Sequence, residues 1–88
     1  MKEKVEKLIA SGKEEEAIAE LETYLADKPD EELLLMLGEL YYRRARNTDA
    51  LNKFNAVLRI NPDNHKAKNY ITMINNVLDY FCKDLLNP

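Results

Sequence analysis

The chain is expected to be all-α, with five helices paired as antiparallel hairpins. Three observations predict this. Apolar residues recur at helical spacing: Ala17, Ile18, Leu21 and Leu25 stand at i, i+1, i+4 and i+8, and Ala50, Leu51, Phe54 and Leu58 repeat the spacing. Ser11-Gly12, Pro29 and Pro62 punctuate the chain as turns, because glycine accepts positive φ cheaply and proline cannot continue a helix. Ala17 and Ala50, Leu21 and Phe54, and Pro29 and Pro62 are each 33 residues apart, so the chain repeats itself internally.

The elements follow in order. A first helix over about 2–10 ends at Ser11-Gly12. A second over 14–27 carries the Ala17–Leu25 stripe, and small Ala17 permits close helix approach. Pro29 stops it, and Asp30 is placed to cap a third helix over 31–45. That helix is apolar almost all round, as befits a central element with neighbours on several sides. Asn47 or Thr48 is expected to cap a fourth helix over 49–60. After Pro62, Asn64 can cap a fifth helix over 65–83, whose apolar face is Ala67, Tyr70, Ile71, Ile74, Val77, Leu78 and Phe81. Lys68, Thr72, Asn75 and Asp79 make a polar stripe on that last helix, and Glu3, Lys7 and Ser11 do the same for the first. Such stripes let a stack of helices end in water.

Leu34-x-x-Leu37-Gly38-x-x-Tyr41, then Ala50-x-x-x-Phe54, then Pro62, resembles the tetratricopeptide repeat, a 34-residue helix–turn–helix unit. Six of its seven signature positions match, and Leu34 stands where the family usually has Trp. The resemblance implies a right-handed α-α superhelix of about two and a half repeats. The hairpins would be 1–30 and 31–64, followed by a capping helix and tail at 65–88. Ala45 stands where the family often has a turn glycine, which leaves the shape of the Arg44–Asp49 turn open.

Bulk composition narrows function further. Eighty-eight residues, 45% hydrophobic and 33% charged, suit one small folded domain. The longest apolar run, Leu33–Leu37, falls far short of the ~20 residues of a membrane span. The N-terminal residues alternate in charge and lack the apolar segment of a secretory signal. A lone cysteine excludes an intramolecular disulfide, so a cytoplasmic setting is expected. The net charge of −3 is uneven: residues 1–32 carry −6 and residues 33–88 carry +3. Such a field can steer a charged partner.

No arrangement for catalysis stands out. His65 opens a helix and is expected to be exposed. Cys82 beside Phe81 is expected to be inert, and no motif joins either to Ser11. Glu14-Glu15-Glu16 splays round its helix as a solvated surface and gives no metal-ligand spacing. Two glycines cannot build a phosphate loop. No enzyme activity, cofactor or metal is expected.

In the family, the first helices of successive hairpins line a concave groove that holds a peptide of a partner protein. On helix 31–45, Glu32, Leu35, Glu39, Tyr42 and Arg43 lie away from the core side formed by Leu34, Leu37 and Tyr41. Lys66, Asn69, Met73, Asn76 and Tyr80 occupy the equivalent face of the last helix, and Lys2, Glu6 and Ile9 that of the first. The peptide-binding candidates are Leu35, Glu39, Tyr42, Arg43, Asn69, Met73 and Asn76. Asn amides can donate to and accept from a peptide bond, Tyr42 offers a flat surface with a polar tip, and Met73 adapts to varied side chains. Arg43 can hold a carboxylate.

Leu35, Glu39, Asn69 and Met73 stand where a chaperone-tail carboxylate clamp needs other residues, so that subtype is not expected. The alternative is a structural or self-associating module without a peptide ligand, with the Cys82–Pro88 tail, including Leu85 and Leu86, docking on another copy. A mostly monomeric chain is expected. RNA binding through Arg43, Arg44 and Arg46, beside Tyr41 and Tyr42, is the weakest reading, because the pI of about 5.1 is acidic.

Overall fold

The computed structural model describes the backbone of residues 1–86 and the side chains of residues 1–78. The described residues form five helices: α1 (Lys2–Ala10), α2 (Glu14–Asp27), α3 (Glu31–Arg43), α4 (Asn47–Ile60) and α5 (His65–Leu86). Consecutive helices pack on one another, most extensively α3 on α4. The all-α hairpin architecture expected from the repeat spacing is therefore present. The fifth helix runs to Leu86, three residues beyond the expected end at 83; expectations for the side chains of Asp79, Tyr80, Phe81, Cys82, Leu85 and Leu86 fall outside the described residues.

The core runs the length of the stack. Val5, Leu21, Leu37, Leu40, Phe54, Val57 and Ile74 are its largest fully buried side chains. The repeated alanines, Ala17 and Ala50, are also fully buried, as close helix approach requires. Gly38 does the same for α3 on α4, since a Cβ there would lie 2.6 Å from Phe54 Cε1. Beyond Phe54, the aromatic packing continues into α5. Its ring stacks on Tyr70 at 4.6 Å with planes 3° apart, and Tyr70 meets Tyr42 edge-on at 5.1 Å. Val77 departs from expectation: it is 43% exposed, although its spacing puts it with the apolar face of α5.

Both hairpins turn in the same way. Gly12, at φ +75°, and Ala45, at φ +61°, are 33 residues apart and are the left-handed residues among those described. After α1, the Gly12 N–H donates to Ile9 O and the Lys13 N–H to Leu8 O. After α3, the Ala45 N–H donates to Tyr42 O and the Arg46 N–H to Tyr41 O. This paired closure of carbonyls is the Schellman motif. It ends α3 at Arg43, two residues earlier than expected, and starts α4 at Asn47, two residues earlier. The residue before α4 is therefore Arg46, and neither Asn47 nor Thr48 serves as its N-cap.

The proline-bearing links behave as their sequence suggests. Asp30 Oδ1 accepts the Leu33 N–H at 2.9 Å, and Asn64 Oδ1 accepts the Ala67 N–H at 2.9 Å. These caps are 34 residues apart although Pro29 and Pro62 are 33 apart, because the α4–α5 link holds one residue more than the α2–α3 link. At the outer side of α5, Lys68, Thr72 and Asn75 are exposed.

Candidate functional site

The odd-numbered helices share one side of the stack. Lys2 of α1 pairs with Glu32 of α3, and the Tyr70 hydroxyl of α5 donates to Glu39 Oε2 of α3 at 2.9 Å. Between these contacts lies a cleft of about 200 Å³ lined by Ile9, Met36, Glu39, Leu40, Arg43 and Tyr70. A second, open hollow of about 390 Å³ is lined by Asp30, Glu31, Glu32, Leu35 and Asn64. Glu32, Met36, Glu39 and Arg43 stand at i, i+4, i+7 and i+11 on α3, one stripe that runs through both hollows.

Local interactions hold this wall in place. Glu31 Oε2 accepts Asn61 Nδ2 at 2.8 Å and Asn64 Nδ2 at 2.7 Å, which ties the α4–α5 link to the start of α3. Those two amides hold the Glu31 carboxyl below its ordinary value. Partial burial of Tyr70, with help from its bond to Glu39, pushes its phenol up to about 12. Tyr70 is thus a neutral donor at physiological pH, and Glu39 is its acceptor.

The candidate residues divide into three sets. Glu39 and Arg43 meet in the smaller cleft, and Leu35 lies in the adjoining hollow. Tyr42 is half-buried, with its ring committed to Tyr70. Asn69, Met73 and Asn76 are exposed on α5, and Met73 is 42% exposed. The α5 wall of the cleft is instead Tyr70, which its spacing assigned to the core face. Met36 and Leu40 are further cleft residues that the wheel did not separate from the rest of a nearly all-apolar helix.

The arginines are engaged by carboxylates. Arg43 Nη2 lies 2.8 Å from Glu14 Oε2, and Arg44 reaches both Glu14 and Glu15. Arg46 pairs with Asp49 and stacks over Tyr41, 4.7 Å from the ring centroid. This corrects the expectation that the Glu14–Glu16 run is simply solvated: Glu14 is half-buried and latches α2 to the end of α3. It also neutralises the basic–aromatic patch considered for RNA.

Sixty residues, 68% of this chain, are 37% identical to anaphase-promoting complex subunit 7 of Arabidopsis thaliana. The matched stretch spans 11% of that protein's length. No family model matches the chain, and no solved structure matches it. The similarity is therefore to part of a protein-complex subunit. Among the described residues, no group of His, Cys, Asp and Glu is arranged to hold a metal, and no helix is long and apolar enough to cross a membrane.

Proposed function

We propose that this chain is a tetratricopeptide-type interaction module, without catalytic activity, that binds a peptide segment of a partner protein in the groove between α1, α3 and α5. It would work in the cytoplasm and mostly as a monomer. One observation carries the reading. Ile9, Met36, Leu40 and Tyr70 come from three separate helices to wall one cleft, with the polar groups of Glu39 and Arg43 beside them. Apolar walls with a few placed polar groups are what a side-chain pocket needs. Leu35 and Tyr42 extend the groove, and Asn69, Met73 and Asn76 would contact peptide that passes over α5. The similarity to a complex subunit agrees with a role among proteins.

Selection from a random peptide display library tests this. The wild type should enrich peptides that an Ile9→Ser/Met36→Ser variant, shown to be folded by its thermal melt, does not retain. Enrichment that is the same on both proteins would place binding elsewhere.

A second reading has its own support. Met73 and Val77, one turn apart on α5, are 42% and 43% exposed and would suit contact with a second copy. Sedimentation across a wide concentration range distinguishes that reading, because a peptide module stays monomeric.

A further inference from the structure

We propose that the groove selects a cationic peptide segment: an apolar side chain enters the Ile9–Met36–Leu40–Tyr70 cleft, and a Lys or Arg two or three residues away faces Asp30, Glu31 and Glu32. This inference rests on the groove reading above and specifies its ligand. The two hollows together carry four carboxylates, Asp30, Glu31, Glu32 and Glu39, against one cation, Arg43.

The partners of these groups decide where charge is left over. Asp30 accepts a backbone N–H, Glu31 accepts two side-chain amides and Glu39 accepts a phenol. All these donors are neutral, so three negative charges are hydrogen-bonded but meet no cation, and the N-terminal dipole of α3 offsets only part of those at Asp30 and Glu31. Both cations at the groove are already matched, Lys2 by Glu32 and Arg43 by Glu14. Lys66, exposed in the first turn of α5, lies outside both linings and does not reverse the sign. Arg43 therefore has little to offer a peptide carboxylate, whereas the N-terminal end of α3 faces any ligand with a row of acids. Complementary potential of this kind sets specificity and speeds encounter.

Spacing fixes the ligand pattern. Glu31 and Glu32 precede Met36 by five and four residues on α3, roughly 6–8 Å along the axis at ~1.5 Å per residue. An extended peptide covers that distance in about two residues at ~3.3 Å each. One apolar anchor and one nearby cation therefore reach both hollows together.

Fluorescence anisotropy with defined peptides tests the proposal. The probe is a capped, labelled octapeptide with one leucine and, three residues on, two arginines. Its controls replace the arginines by glutamates, or the leucine by serine. The arginine peptide should bind at least about tenfold more tightly than the glutamate peptide. Its affinity should fall several-fold between ~0.02 and ~0.15 M salt, since exposed charges are screened. A Glu31→Gln/Glu39→Gln variant, which removes two of the three charges that meet no cation and keeps amide oxygens as acceptors, should weaken it about five- to tenfold while a thermal melt shows the protein folded.

The other results are distinct. Glutamate or neutral peptide bound as tightly, and lost in Ile9→Ser/Met36→Ser, would overturn the cationic preference and leave the groove reading standing. Arginine peptide bound equally by Ile9→Ser/Met36→Ser would reduce the effect to general charge attraction and overturn the proposal. No binding of any peptide would overturn both, and a mass that rises with concentration would then favour the self-association reading.

Discussion

Gly38 and Phe54 are packed so closely that a Cβ on Gly38 would fall within 3 Å of three ring atoms of Phe54. The ring cannot easily retreat, because it is fully buried and stacked on Tyr70. Gly38→Ala therefore sets two effects against each other. Alanine favours the helix by about 1 kcal/mol over glycine, while overpacking costs ~1–3 kcal/mol or more. The clash should win, with a net loss of about 1–2 kcal/mol in urea unfolding. Adding Phe54→Leu to Gly38→Ala should then cost less than Phe54→Leu costs in the wild type. If Gly38→Ala were neutral or stabilising, the α3–α4 packing described here would be wrong.

The left-handed conformation of Ala45 points the other way. Its turn repeats the hydrogen bonds made around Gly12, but with a Cβ in a region that disfavours one. Relief of ~1–2 kcal/mol in the folded state is partly offset by ~0.4–1 kcal/mol of extra unfolded-chain entropy. Ala45→Gly should stabilise by about 0.5–1 kcal/mol and raise the midpoint of thermal unfolding. The converse change, Gly12→Ala, should destabilise, because it strains the same position in the first hairpin.

These two positions also mark how far the sequence could be read. The helices were legible because glycine, proline and period-3.6 apolar residues act locally, and each observed boundary at 10, 14, 27 and 31 matches its signal. The α3–α4 boundary was not, since Ala45 carries no mark of a left-handed turn; only its 33-residue distance from Gly12 does. Among the residues that line the two hollows, Leu35, Glu39 and Arg43 could be placed on the exposed side of α3 from the helical wheel. Tyr70 could not, because it serves two neighbours at once: its ring completes the Phe54 stack while its hydroxyl reaches Glu39. Nor could pairings between distant residues, such as Glu14 with Arg43 and Arg44, be read from local pattern. They left the basic patch looking free in the sequence.

Acid should weaken the fold at a defined point. Hydrogen bonds from Asn64 and Asn61 lower the Glu31 pKa from 4.5. For Glu22, partial burial pushes upward but is outweighed by bonds from Lys53 and Tyr41, and the pKa is also lowered. A carboxyl whose folded pKa is depressed contributes stability that is present above its unfolded pKa and lost as pH falls through the folded one. The melting temperature should change little from neutrality down to about pH 5 and drop below about 4.5. Glu31→Gln should lower stability at neutral pH and flatten that acid limb. A limb unchanged by the substitution would assign the acid sensitivity to other groups.

At the alkaline end Tyr70 is the group to follow. Burial first, then the bond to Glu39 and its charge, raise its pKa from 10.0 to about 12, and burial and Glu22 raise Tyr41 as well. A raised pKa on a neutral acid means that its contribution is complete below the unfolded value near 10 and is lost as pH climbs through the folded value. Tyr70→Phe keeps the ring on Phe54 and Tyr42 and removes only the hydroxyl. It should cost about 0.5–1.5 kcal/mol at neutral pH, the ordinary worth of one hydrogen bond. Above about pH 10 the gap between wild type and variant should narrow, because only the wild type must hold a proton against the rising pH. Urea unfolding of both proteins across that range measures the gap directly. A gap that stays constant would mean that the Tyr70 phenol is neither buried nor bonded to Glu39 in solution as it is here, and α3 and α5 would then not meet through that hydroxyl.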